Sequence, residues 1–91
     1  MPKQFIGHSA DKKLTLTLVV KRSNSPPGTV ILTLTKTVPG QKPEQLLPNA
    51  RIPETLKAIT HTVNAAVSSL GRPIGQARDN LLDHLKRTFV P

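Results

Sequence analysis

Residues 14–38 read LTLTLVVKRSNSPPGTVILTLTKTV, two alternating runs around a turn-rich break. In the first run Leu14, Leu16, Leu18 and Val20 share one side, and Thr15, Thr17, Val19 and Lys21 the other. In the second, Val30, Leu32 and Leu34 are opposed by Ile31, Thr33, Thr35 and Thr37. Successive side chains of a strand point to opposite faces, so each run predicts a strand with a leucine face and a threonine face. The expected bounds are Lys13–Arg22 and Thr29–Val38. Between them, Ser23-Asn24-Ser25-Pro26-Pro27-Gly28 is turn chemistry: Asn and Ser bond to nearby backbone, Pro fixes φ, and Gly allows φ > 0. Neither proline can donate to a ladder, and so short a connection makes an antiparallel hairpin the simplest pairing.

Working outward, Pro39-Gly40 ends the second strand. Residues Gln41 to Arg51, with Pro43, Pro48 and Asn49, read as a loop with room for one helical turn at Glu44–Leu47, pinned to the core by Leu46 and Leu47. From Pro53 to Leu70 the apolar positions Leu56, Ile59, Val63, Ala66, Val67 and Leu70 follow helical spacing, with Lys57, His61, Asn64 and Ser68 opposite. Pro53 suits a first helical position and Glu54 suits the first turn. Gly71 and Arg72-Pro73 then stop this helix. A second helix is expected from Pro73 or Ile74 to Phe89, with Ile74, Ala77, Leu81, Leu82, Leu85 and Phe89 as its stripe. Lys86 and Arg87 complement its C-terminal dipole, and Asp83 is one turn from Arg87. Upstream, residues 1–12 form a polar, basic arm around Phe5-Ile6, which is either a short edge strand or a hydrophobic anchor. The expected class is α+β in the order β-β-α-α. A single domain over 13–91 carries an antiparallel hairpin, a candidate third N-terminal strand, and an αα-hairpin packed on one sheet face.

The bulk chemistry narrows function by exclusion. At 91 residues the chain has room for one domain and a modest core. It holds no cysteine, which removes disulfides, thiolate zinc sites and cysteine nucleophiles. No apolar run approaches the roughly 18 residues of a membrane span, and the start lacks a signal-like apolar centre, so a soluble protein is expected. It would sit in the cytoplasm, or in a virion if the source is viral. Net charge is +8. Residues 1–42 hold seven basic side chains (Lys3, Lys12, Lys13, Lys21, Arg22, Lys36, Lys42) against Asp11 alone. Residues 43–91 hold six against four acids. The field is concentrated on the strand half and draws polyanions: nucleic acid first, anionic lipid second.

Two strands with two helices make an incomplete object, because a lone hairpin is marginal and both its edges are open. A second copy of the chain is the simplest remedy. Edge pairing across a twofold axis gives a four-stranded sheet beneath four helices, a homodimer. Leu56, Ile59, Val63 and Leu82 on the helix faces are the expected interface residues, with Arg78, an arginine inside the apolar arc of the second helix. Arg78 is read either as a snorkelled stem or as an interface or phosphate contact.

If the leucine face meets the helices, the threonine face is left over. Hydroxyls and amines on a flat sheet suit phosphate and 2′-OH contacts. The expected nucleic-acid-binding set is Thr15, Thr17, Lys21, Thr33 and Thr35 on the face, with Lys12, Lys13, Arg22 and Lys36 at its rim. β-Propensity alone also produces a threonine-rich solvated face. Phe5 and Phe89 are the only aromatics, so base stacking is a minor mode and backbone contacts with steep salt dependence are expected. His8, His61 and His84 are scattered without ligand spacing, Ser68-Ser69 read as capping or packing residues, and Asp79 and Asp83 lie on a polar helix face. No catalytic, metal or cofactor set emerges, and the chain reads as a non-enzyme.

Two resemblances accompany these residues. The architecture from Leu14 to Leu85, strands then two C-terminal helices with Thr/Lys on the exposed sheet face, resembles the latter half of a single-stranded RNA phage coat protein. That resemblance implies a dimer binding an RNA hairpin on its sheet face, although this chain has no counterpart of the family's early strands. Ala10-Asp11 with Leu14–Arg22, Ile52-Pro53 with Leu56, and Leu70, Arg72-Pro73, Ala77-Arg78 are similar to parts of the activation propeptide of sedolisin-type serine proteases, whose long middle is absent here. The leading expectation is a basic homodimeric nucleic-acid-binding protein, RNA ahead of DNA, coat-like or nucleoprotein-like. The alternative is a structural or protein-interaction subunit that assembles through exposed strand edges without nucleic acid. Peripheral association with anionic membrane ranks third.

Overall fold

The computed structural model describes residues 2–68, 70 and 72–88. Four strands, β1 (Lys3–His8), β2 (Thr15–Ser23), β3 (Thr29–Thr37) and β4 (Glu44–Pro53), precede two helices, α1 (Leu56–Val67) and α2 (Arg72–Thr88). The strands form one antiparallel sheet in the order β1-β2-β3-β4, each pairing with its neighbour in sequence. The class is α+β, strands first and helices after.

The hairpin forms where the alternation places it. Leu18 lies opposite Leu34, and Thr17 opposite Thr35. Leu16, Leu18, Leu32 and Leu34 are fully buried, with Val20 and Val30 beside them. They pack against Ile59, Val63 and Val67 of α1 and Ile74, Ala77, Leu81, Leu82 and Leu85 of α2. Both helices therefore lie on the leucine face and contact each other. Burial of this kind stabilises by about 25 cal/mol per Å² of apolar surface, which is why the leucine side is the covered one.

β1 settles the choice at Phe5-Ile6 in favour of a strand. Phe5 joins the core opposite Leu18, and Ile6 faces the other way, 39% exposed. Gly7 sits directly under α2. A Cβ there would overlap the Ala77 carbonyl and lie 2.5 Å from the Leu81 nitrogen, so glycine is what lets helix and strand approach.

β4 corrects the reading of residues 41–51 as a loop, and the order becomes β-β-β-β-α-α. Ala50 and Ile52 meet Leu32 and Val30, and Leu47 meets Leu34. Two register shifts interrupt this pairing, and Asn49 adopts φ 51° at one of them. Such bulges, with Pro48 on an edge strand, erase the period-two signal that identified β2 and β3. The start of α1 is also corrected. Pro53 closes β4, and Thr55 caps the helix by accepting from the Ala58 N–H at 3.1 Å. Glu54 precedes the helix and pairs with Arg22. Leu70, placed in the α1 stripe by spacing, lies past the helix end and is exposed. The Gly71 stop, Ser69 and the Phe89 end of the α2 stripe lie outside the described residues. No helix among the described residues is long and apolar enough to cross a membrane.

The incompleteness that asked for a second copy is resolved within the chain: β1 and β4 flank the hairpin and extend it to four strands. Ile59 and Val63, expected at a dimer interface, are fully buried in this chain's own core, and Leu82 nearly so. Leu56 is half-buried against that core. Arg78 is half-buried, and its guanidinium donates to the neighbouring Asp79 carboxylate at 3.0 Å.

Candidate nucleic-acid interface

The face opposite the helices is assembled from alternate residues of all four strands, and the register orders them in rows. His8, Thr15 and Thr37 form one row; Ile6, Thr17, Thr35 and Gln45 the next; then Gln4, Val19 and Thr33; then Lys21, Ile31 and Arg51. Asn49 joins the third row through the bulge, its Oδ1 accepting from the Thr33 hydroxyl at 3.2 Å. Thr17 and Thr35 are directly paired, and with Thr15, Thr33 and Thr37 they put five hydroxyls of these rows on the two central strands. No described residue covers this face, and its central side chains are half-buried by their neighbours alone.

Of the expected set, the four threonines and Lys21 share this face. Arg22 and Lys36 fall on the opposite parity and are paired with acids. Arg22 Nε donates to Glu54 Oε2 at 2.5 Å, and Lys36 Nζ lies 3.5 Å from Glu44 Oε1. Exposed ion pairs of this kind contribute at most about 1 kcal/mol, but they reduce the charge offered to a ligand. Lys12 and Lys13 sit in the β1–β2 loop at the end of the face. There the Ser9 hydroxyl donates to the Asp11 carboxylate at 2.5 Å and the Lys13 N–H donates to the same oxygen at 2.9 Å. The Ser9 contact is the main cause that holds the Asp11 carboxyl below its usual range.

Three contributors escaped the sequence reading. Arg51 and Asn49 reach the face only because residues 44–53 are a strand. The alternation of Asn49 and Arg51 with Ala50 and Ile52 is the signal that could have shown it. Arg51 Nη1 also donates to the Ser25 carbonyl at 2.7 Å, tying the β2–β3 turn to β4. His8 closes the face at the other end, its Nδ1 3.0 Å from Thr15 Oγ1. The arrangement offers hydroxyls and two cations, Lys21 and Arg51, around an apolar centre of Ile6, Val19 and Ile31. Phe5 is buried on the other side, so the face holds no aromatic platform among the described residues. No cluster of metal-ligating side chains occurs among the described residues. No protein-family model matches the chain, and neither a curated protein nor a solved structure is detectably similar to it.

Proposed function

We propose that this chain is a small nucleic-acid-binding protein without enzymatic activity, preferring RNA to DNA, and that it binds through the open sheet face. The observation that carries the reading is the asymmetry of the sheet. One face is filled by both helices, while the other leaves Thr15, Thr17, Lys21, Thr33, Thr35 and Arg51 open in a chain of net charge +8. Hydroxyls at strand spacing position a sugar-phosphate backbone, and the two cations release counterions from it. Without an aromatic platform on this face among the described residues, recognition is of backbone shape rather than base identity. Gel-shift titrations with a hairpin RNA and a duplex DNA at about 50 and 200 mM salt test this, since phosphate-led binding weakens steeply over that range. Binding should collapse at the higher salt, and the double variant Lys21→Glu/Arg51→Glu should weaken it roughly tenfold or more on every sequence. Unchanged binding by that variant contradicts the reading.

A second reading, assembly through strand edges, is favoured by β1. In its register with β2, the Ser9 N–H donates to the Leu14 carbonyl at 2.9 Å, so Lys3, Phe5 and Gly7 bond inward. The main chain of Gln4 and Ile6 then faces outward, free to add a strand from a second copy. β4 offers a poorer edge, broken by Pro48 and two register shifts. Light scattering on the purified chain separates a β1-paired homodimer from a monomer.

A further inference from the structure

A second basic site lies around the β1 edge from the open face. A cleft of about 610 Å³ runs between the end of β1 and the C-terminal half of α2. His8, Lys12, Asp83, His84 and Arg87 are its titratable lining. Several polar groups in its walls are already used. Asn80 Nδ2 donates to the His8 carbonyl at 2.7 Å, and the Ser9 hydroxyl donates to Asp11 while accepting from the Leu14 N–H. These bonds fix the strand end and the loop, so the Lys12 backbone, at φ 61°, is held in place. Among the described residues, no hydrogen bond or ion pair engages the Lys12 ammonium, the Arg87 guanidinium or a ring nitrogen of His84. The Asp83–Arg87 pair expected from their spacing is not formed either, although both line the cleft. The His84 ring is set edge-on against Phe5, centroids 5.3 Å apart, which fixes its plane. Arg22, Lys36 and Arg78 each have a carboxylate partner. Lys12 and Arg87, far apart in sequence, instead line one concavity with Asp83, and neither has an ion-pair partner among the described residues.

We infer that this cleft binds a phosphate group, held by Lys12 and Arg87 with His84 as a further donor, and that in the complex this is a backbone phosphate of the nucleic acid turning round the β1 edge past His8. The planar guanidinium fork suits two phosphate oxygens at once. Asp83 is the one acid among the described lining residues and opposes the anion. The nucleic-acid half rests on the function proposed above, and the phosphate half does not. Titration of the ¹⁵N-labelled chain with inorganic phosphate, read by amide and side-chain shifts against a chloride control, tests the cleft alone. Saturable shifts at Lys12, Asn80, His84 and Arg87 are expected, lost in Arg87→Ala and appearing at lower phosphate in Asp83→Asn. Uniform small shifts, or full retention of them in Arg87→Ala, overturn the site. The nucleic-acid arm compares salt dependence. Arg87→Ala should lower the log–log slope by about one, the change expected for losing one phosphate contact. Phosphate shifts with an unchanged slope overturn the backbone assignment while leaving the open-face reading intact. Phosphate shifts without any nucleic-acid binding overturn the proposed function instead.

Discussion

Thr17 and Leu18 are neighbours in one strand, yet Leu18 is fully buried while Thr17 stays half-open to solvent. The same contrast runs down β2 and β3: buried Leu and Val on one face, and half-buried Thr with Val19 and Ile31 on the other. Both faces obey the same hydrogen-bond ladder, so the ladder cannot tell them apart. What separates them is the helix layer, which buries one set of side chains and leaves the other set uncovered among the described residues. The closed face should therefore govern stability and the open face binding, and substitutions can break or sharpen that division.

The largest effect is expected on the closed face. Leu34→Ala leaves a cavity among fully buried residues and should cost about 2–5 kcal/mol in denaturant unfolding. Gly7→Ala should cost about 1–3 kcal/mol, because its Cβ runs into the α2 backbone. Leu34→Ala, where it still folds, should bind nucleic acid like the parent. On the open face the expectation inverts. Thr17→Val and Thr35→Val should change stability by less than about 0.5 kcal/mol while weakening retention on RNA at low salt. A loss of stability there comparable to Leu34→Ala would erase the distinction between the faces.

The smallest expected effect is at the β1–β2 loop. Asp11 has a depressed folded-state pKa, held down chiefly by the Ser9 hydroxyl. Its stabilising contribution is therefore present above the unfolded carboxyl value of about 3.9 and is lost as pH falls through the lower folded value. Asp11→Asn keeps an acceptor oxygen but not the charge. The stability gap between parent and variant, followed by thermal melts, should narrow on acidification below about pH 4 and vanish at the acid end.

The hairpin and both helices were legible because their apolar periods, two and then near 3.6, run uninterrupted. β1 was half legible: Phe5-Ile6 announced an apolar contact but, in so short a strand, not its partner. β4 was hidden because Pro48, the left-handed Asn49 and two register shifts break alternation within ten residues. That loss propagated to the site, since Arg51 belongs to the open face only if β4 exists. The four threonines and Lys21 could be placed from parity alone. Arg22 and Lys36 could not be discounted, because Glu54 was placed in the first turn of α1 and Glu44 in the segment read as a loop. The basic cleft was invisible for a different reason. Lys12 and Arg87 line one cleft only through the docking of α2 on β1, a tertiary contact with no local signal.

A chain without cysteine allows the most direct test of the open face, because a single introduced thiol is a unique probe. Thr35→Cys places it at the centre of the threonine surface, and Ala65→Cys places it on the exposed side of α1. Alkylation rates of each variant, with and without saturating hairpin RNA, compare the faces within one fold. RNA should slow labelling of Thr35→Cys at least tenfold and leave Ala65→Cys unchanged. Protection at Ala65→Cys with free reaction at Thr35→Cys would contradict the account.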